Sequence, residues 1–379
     1  MNRKSRVMAA LVAGVILCAL IGWMRSRGTP GNASRLEDEP APSQPVSGDV
    51  SNAKQTDSLH AKRLFELRRD LLAATDPAAR RARFLQFREQ LHQDGFTAAD
   101  WLAFLDSGED APTGEAFSVG PGGNLRESPT LRVFALDVLG QIAPESAAKV
   151  GLRLLTEAPA PDEWAIALRN VARVQGVDDE LRGHVLEGLA NTEWALAPSV
   201  GYLEGFDAAV FSASPPMIPA LSRLTTMEYP AATRFAATLA LQRSASQSFP
   251  ALASSIASDP ILAANPELRA DLFARADLRE PDQRVWVATH LSNAATSDAE
   301  AEALIRALPN ENQRLSNNLL TETQISPLQD LLGEQLQTLA VLQQWSQDPA
   351  LAARGPSFDA AVQRLQNVTA QAIPAFQRP

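Results

Sequence analysis

Three patterns of apolar and polar residues follow one another along this chain. Residues 7–24 form an apolar run without a charge, residues 29–57 show no apolar periodicity, and apolar residues recur at helical spacing from Ser58 onward. An apolar run of about 18–20 residues suits the thickness of a bilayer, whereas spacings of three and four residues mark the buried face of a helix. The pattern therefore predicts a membrane helix, a linker and a helical body.

The apolar run from Val7 to Met24 predicts a transmembrane anchor within residues 1–28. Three basic residues precede the run and two follow it. The positive-inside rule then favours a cytoplasmic N-terminus, with residues 29–379 exported to the periplasm or another extracytoplasmic space. A cleaved signal peptide and a lipid attached to Cys18 are the alternatives, but bulky residues occupy the positions that a cleavage site or a lipid signal needs to be small.

The next three segments differ in composition. Residues 29–57 are rich in Pro, Ser, Gly and acidic residues, which predicts a disordered linker. Residues 58–106 predict an N-terminal helical cluster, because Asp76 before Pro77 and Thr97 are typical helix starts. Residues 107–128 contain five glycines and two prolines, which predicts an ordered loop, a short hairpin or a hinge between two helical parts.

Prolines mark regular helix starts in residues 129–325. They stand at Pro129, Pro161, Pro198, Pro230 and Pro266, separated by 32, 37, 32 and 36 residues. Proline suits the first turn of a helix, and such a period is close to one hairpin of two helices. Further helices are expected at about 281–292, 297–308 and 310–321.

This spacing resembles that of the HEAT-like and TPR-like α-solenoids, in which helical hairpins stack side by side. The resemblance covers about residues 129–310 and implies an all-α fold of hairpins stacked as an irregular α-solenoid. Irregular packing without true repeats is the alternative. Residues 326–379 predict a pair of C-terminal helices that caps the solenoid, or alternatively a dimerisation helix, so the oligomeric state stays open.

Composition and charge narrow the possible functions. Aromatic residues make up 6% of the chain, which agrees with an all-α fold, and a single cysteine excludes a disulfide framework. Five of the 34 basic residues lie in residues 1–28, which hold no acid, so residues 29–379 carry 29 basic and 44 acidic side chains, a net charge of −15. That charge repels phosphate backbones, so we expect no nucleic-acid partner.

Familiar catalytic motifs are missing from the sequence. The four histidines are scattered, and no zinc-binding, nucleophile-elbow, phosphate-loop or dinucleotide motif occurs, so we predict no catalytic, cofactor or metal residues. Stacked hairpins instead favour a scaffold or adaptor that binds a protein or peptide at the cell envelope. The alternatives are an envelope enzyme or enzyme subunit with a carboxylate site near residues 107–128, and a structural spacer. The candidate partner-binding residues are Asp110, Glu115, Arg126, Trp164 and Trp194.

Overall fold

The computed structural model describes residues 59–157, 159–310, 318–322 and 327–376. All of them belong to the unit Asp57–Pro379, one of two units into which the chain divides. These residues form seventeen α-helices and one small sheet, so the predicted all-α class is confirmed. The predicted anchor and linker lie outside the described residues. Among the helices of the described residues, none is long and apolar enough to cross a membrane.

The first three helices start and stop where the local sequence predicts. The Asp76 side chain accepts a hydrogen bond from the backbone N–H of Ala79, and the Asp100 carboxylate accepts one from the N–H of Thr97 at 2.8 Å. Gly95 ends the second helix with a positive φ of 66°. The helices are α1 (Leu59–Ala73), α2 (Pro77–Asp94) and α3 (Ala98–Asp106).

The Gly/Pro-rich segment 107–128 contains a short antiparallel hairpin, one of the predicted alternatives. Its strands are β1 (Ser118–Val119) and β2 (Leu125–Glu127), joined by a 3₁₀ turn at Pro121–Gly123. The turn needs glycine, because Gly122 and Gly123 both have positive φ, 67° and 72°. A Cβ on Gly123 would also lie 2.1 Å from the carbonyl oxygen of Leu319, so the turn touches a distant part of the chain.

Twelve helices lie between the hairpin and residue 310. Those predicted at Pro161 and Pro266 begin at these prolines, and those predicted at Pro129, Pro198 and Pro230 begin one or two residues later. The helices are α4 (Leu131–Ile142), α5 (Pro144–Thr156), α6 (Pro161–Gln175), α7 (Asp179–Ala190), α8 (Thr192–Leu196), α9 (Val200–Ser212), α10 (Met217–Leu224), α11 (Ala231–Ser258), α12 (Pro260–Ala263), α13 (Pro266–Phe273), α14 (Pro281–Ser292) and α15 (Asp298–Ala307).

Alternate helices pack side by side. The helices α4, α6, α9, α11, α13 and α15 form one row, in which each contacts the next. The helices between them form a second layer, in which α7 contacts α10 and α10 contacts α12. The buried apolar side chains of the two layers belong to one continuous core.

The prediction of a helix at residues 310–321 is wrong for the part of it that the structure describes. Asn310 and residues 318–322 are not helical. The reason is competition for the backbone: the Asp207 carboxylate on α9 accepts the N–H groups of Leu320 and Thr321 at 2.7 and 2.8 Å. These donors are therefore committed to a distant side chain and not to the carbonyl groups of a preceding helical turn.

Two long helices form the C-terminal part, as the sequence predicts. They are α16 (Leu328–Trp345) and α17 (Gly355–Phe376), joined through a 3₁₀ segment at Pro349–Arg354. The helix α17 packs against both α16 and α15. Whether this pair caps a solenoid or mediates dimerisation stays a prediction.

Candidate functional site

Two arginines on α6 hold the turn of the Gly/Pro-rich segment in place. Arg169 is fully buried, pairs with Asp137 on α4 and donates from Nη1 to the carbonyl oxygen of Gly123 at 2.9 Å. Arg173 donates to the side-chain oxygen of Asn124 at 2.9 Å. Burial, followed by the nearby charge of Arg169, lowers the pKa of Arg173 to about 10. The turn is thus fixed by charged groups from the helical body.

The three predicted site residues of this segment do not form one cluster of free side chains. The Asp110 carboxylate accepts the backbone N–H of Arg132 at 2.9 Å, at the start of α4. Glu115 is buried and pairs with Arg88 at 3.1 Å. Arg126 is exposed on β2. The two carboxylates therefore join the segment to neighbouring helices.

The two predicted tryptophans lie in an aromatic cluster. Trp164 is 2% exposed, and its indole N–H donates to the carbonyl oxygen of His184 at 3.2 Å. The Trp194 ring is partly buried, 5.8 Å from the Trp164 ring and 6.0 Å from Tyr202. None of the five predicted residues lines the groove described next, and their contact with a partner stays a prediction.

A groove of about 320 Å³ lies between α9 and α11, which also contact each other. Its walls come from one face of each helix, at spacings of three and four residues. Two apolar side chains stand at its mouth, since Val200 is 49% and Phe235 is 55% exposed. The lining residues are Val200, Leu203, Glu204, Phe206, Asp207 and Val210 on α9, Ala232, Phe235, Ala236, Leu239, Ala240 and Arg243 on α11, and Asn318.

A polar cluster in the groove lining binds the non-helical segment 318–322. Arg243 donates to Asp207 at 2.8 Å and also to the hydroxyl of Thr321. The Asp207 carboxylate additionally accepts the Thr321 hydroxyl and the N–H groups of Leu320 and Thr321. The carboxylate of Asp207 thus accepts hydrogen bonds from four donors and fixes the backbone of Leu320 and Thr321 beside the groove.

Glu204 lies one helical turn before Asp207 in a different environment. Burial and, to a smaller extent, the negative charge of Asp207 raise the pKa of Glu204, whereas Arg243 lowers it, and the net pKa is about 7. No hydrogen bond or ion pair joins Glu204 to any other residue in the described ranges. A carboxyl group with a perturbed pKa in an apolar groove marks a candidate binding site.

Replacing Glu204 by glutamine is expected to stabilise the protein, and the gain should depend on pH. The pKa of Glu204 is higher in the folded than in the unfolded state, so the protonated form favours folding and the ionised form disfavours it. The stability that protonated Glu204 contributes is therefore lost as the pH rises from about 4.5 to about 7. The gain of Glu204→Gln should be near zero at pH 4 and reach about 1–2 kcal/mol at pH 8. Urea unfolding at both values measures it, and an equal gain at both would contradict the assignment.

A second cavity of about 390 Å³ lies beside α14. The His290 and Trp286 rings stack there at 5.3 Å, and His290 Nε2 is 2.9 Å from buried Glu300. Burial raises the pKa of Glu300, but hydrogen bonds from His290 and Arg269 outweigh it and lower the pKa. This triad is satisfied internally, so it indicates structural packing at the cavity wall.

Metal binding is not indicated in the part of the chain that the structure describes, where no three His, Cys, Asp or Glu residues are grouped to hold an ion.

No protein-family model matches this sequence, no curated protein is significantly similar to it, and no solved structure is significantly similar to its fold. The groove between α9 and α11 is therefore the main basis for a functional proposal.

No residue of this groove is among the partner-binding residues that the sequence predicts. The α9 and α11 faces carry apolar residues at helical spacing, which is the ordinary sign of a buried face. One signal was present, because Glu204 and Asp207 interrupt the apolar stripe of α9. A charge within such a stripe indicates either a buried ion pair or a candidate site, and Asp207 is the one that forms an ion pair, with Arg243.

Proposed function

We propose that this protein is a membrane-anchored helical scaffold that binds a peptide segment of a protein partner at the cell envelope. The observation that supports the proposal is the non-helical segment 318–322, whose backbone N–H groups at Leu320 and Thr321 are bound by Asp207 and whose Asn318 lines the apolar groove. Asp207 therefore accepts hydrogen bonds from backbone N–H groups of a distant part of the same chain at this surface. Peptide recognition commonly combines such captured backbone groups with pockets for side chains.

The packing of alternate helices supports the finer description of the fold as an α-solenoid similar to HEAT-like and TPR-like proteins. In such folds each hairpin contacts only its neighbours, and the stacked helices form a continuous surface for extended partners. In support of this description, each helix of the row from α4 to α15 contacts the next, and the groove lies between two members of that row.

The sequence outside the described residues supports attachment to a membrane. The apolar run from Val7 to Met24 is flanked by basic residues, and residues 29–57 are long enough to separate the helical body from the bilayer by roughly 30 Å. We propose a cytoplasmic N-terminus and an exported body. A reporter fused to Pro379 tests this topology, and activity confined to a cytoplasmic reporter would overturn it.

The enzyme alternative at residues 107–128 has less support. The carboxylates of Asp110 and Glu115 are hydrogen-bonded to the backbone of neighbouring residues. A reacting carboxylate needs access to a substrate, whereas these two hold the segment on α1–α4.

The proposed function is tested by selecting random peptides that bind the full chain in lipid nanodiscs. We expect selected peptides to lose binding to Phe235→Asp, because a charge at the mouth opposes burial of apolar side chains. The matched control is Leu72→Asp, since Leu72 is exposed to a similar extent on α1. Selection of no peptide, or equal binding to both variants, would contradict the proposal.

A further inference from the structure

We infer that the groove between α9 and α11 receives a basic residue of the partner peptide, flanked by apolar residues, and that Glu204 binds its cation. This inference rests on the proposed function and adds the chemistry of the partner. The partner is thus a lysine- or arginine-bearing apolar segment, and neither a neutral apolar segment nor an acidic one.

The first support is the unequal satisfaction of two carboxylates on one helical face. Asp207 has Arg243, the Thr321 hydroxyl and two backbone N–H groups as donors. Glu204 has none of these, although it lines the same groove. Arg243, the cation that lies nearest in the lining, is already engaged by Asp207 and Thr321. The arrangement leaves one carboxylate for an incoming donor.

The second support is the shape and polarity of the walls. Leu203, Phe235 and Leu239 line the groove around Glu204. Lysine and arginine carry apolar stems that pack against such walls while the charged head reaches a carboxylate. A volume of about 320 Å³ lies near the lower end of ligand pockets, so it suits one long side chain with a neighbour and not a larger group.

The third support is the charge of the whole protein. The chain carries a net charge of −10. A cationic segment is attracted by this field and an anionic one is repelled, which affects the association rate and the choice of partner. The local and the global charge therefore favour the same class of ligand.

Three pools of nine-residue peptides test the inference against the full chain in nanodiscs. The central residue is lysine, norleucine or glutamate, and the flanking positions are randomised among Leu, Ile, Phe and Ala. Norleucine keeps the apolar stem and removes the charge. We expect the lysine pool to bind most tightly, and Glu204→Gln to weaken its binding about tenfold while leaving the norleucine pool unchanged.

The control variant Glu193→Gln makes the same chemical change at an exposed position outside the groove, and at pH 7 it removes at least as much negative charge as Glu204→Gln does. We expect it to change the affinity for the lysine pool less than twofold, since surface charges act weakly through solvent. Equal weakening by both variants would attribute the effect to net charge and overturn the inference. Because Glu204→Gln is expected to stabilise the fold, lost binding would not reflect unfolding.

The outcomes separate the inference from the proposed function. If no pool binds, the proposed function fails. If the lysine and norleucine pools bind equally and only Phe235→Asp abolishes binding, the groove binds peptides without a cation and the inference alone fails. Tightest binding of the glutamate pool would also overturn it.

Proton release gives an independent measurement. Glu204 is partly protonated at pH 7 in the free protein, and Asp207 and Arg243 are the charged groups that face it. A bound cation should ionise Glu204, so the best lysine peptide should release about half a proton at pH 7. Calorimetry in buffers of different ionisation enthalpy measures this release, which should disappear in Glu204→Gln; persistence of the release there would contradict the assignment.

Discussion

Replacing Arg169 by methionine is expected to lower the free energy of unfolding by about 3–5 kcal/mol. Arg169 is fully buried, and its guanidinium pairs with Asp137 while donating to Gly123 and to the side chain of Asn170. Methionine has a similar length but no donor, so Asp137 would remain as a buried charge that lacks its main partner. Urea denaturation followed by far-ultraviolet circular dichroism measures the loss.

A double variant separates the ion pair from the packing. Arg169→Met with Asp137→Leu removes both charges and should recover at least half of the lost stability, because two buried apolar groups do not leave an unpaired ion. The control is Arg153→Met, whose partner Asp106 is exposed, and which should cost less than about 1 kcal/mol. Equal losses at Arg153 and Arg169 would show that burial does not determine the effect.

Helix starts could be predicted from the sequence because their causes are local. A cap such as Asp76 or Asn265 satisfies backbone groups two or three residues away, and the following proline fixes the backbone of the first turn. Both signals stand within four residues of one another. The all-α class followed from the sum of such local signals.

The buried ion pair could not be predicted, because Asp137 and Arg169 are 32 residues apart and lie on different helices. Charged residues on helices are usually exposed, and their pairing in the core depends on how α4 packs against α6. The non-helical state of Thr321 has the same origin, since the competing acceptor Asp207 precedes it by 114 residues.

The groove could not be predicted from the sequence for a related reason. An apolar helix face, such as the one that carries Leu203 or the one that carries Leu239, has the same sequence pattern whether another helix covers it or a groove remains beside it. Only the packing distance of α9 and α11 distinguishes these cases, and that distance depends on the residues behind them. Small residues such as Gly205 allow α9 to approach Trp164 on α6 closely, which places the opposite face toward α11.

Replacing Gly188 on α7 by alanine is expected to lower the free energy of unfolding by about 1–3 kcal/mol. A Cβ at this position would lie 2.3 Å from the Trp164 ring, which is 2% exposed. Gly205 on α9 contacts the same ring, since a Cβ there would lie 2.2 Å from it. The ring cannot move away from one helix without meeting the other, so the strain should not relax. Urea denaturation measures the loss.

Gly183 provides the matched control, because it lies on the same helix and nothing is within 4 Å of its added Cβ. Gly183→Ala should raise the free energy of unfolding by about 0.5–1 kcal/mol through helix propensity alone. Both substitutions bring the same gain in propensity, so the difference between them measures the clash with Trp164. A similar gain in both variants would show that the Trp164 ring has room to shift, and the close packing of α6, α7 and α9 would then not constrain the position of α9.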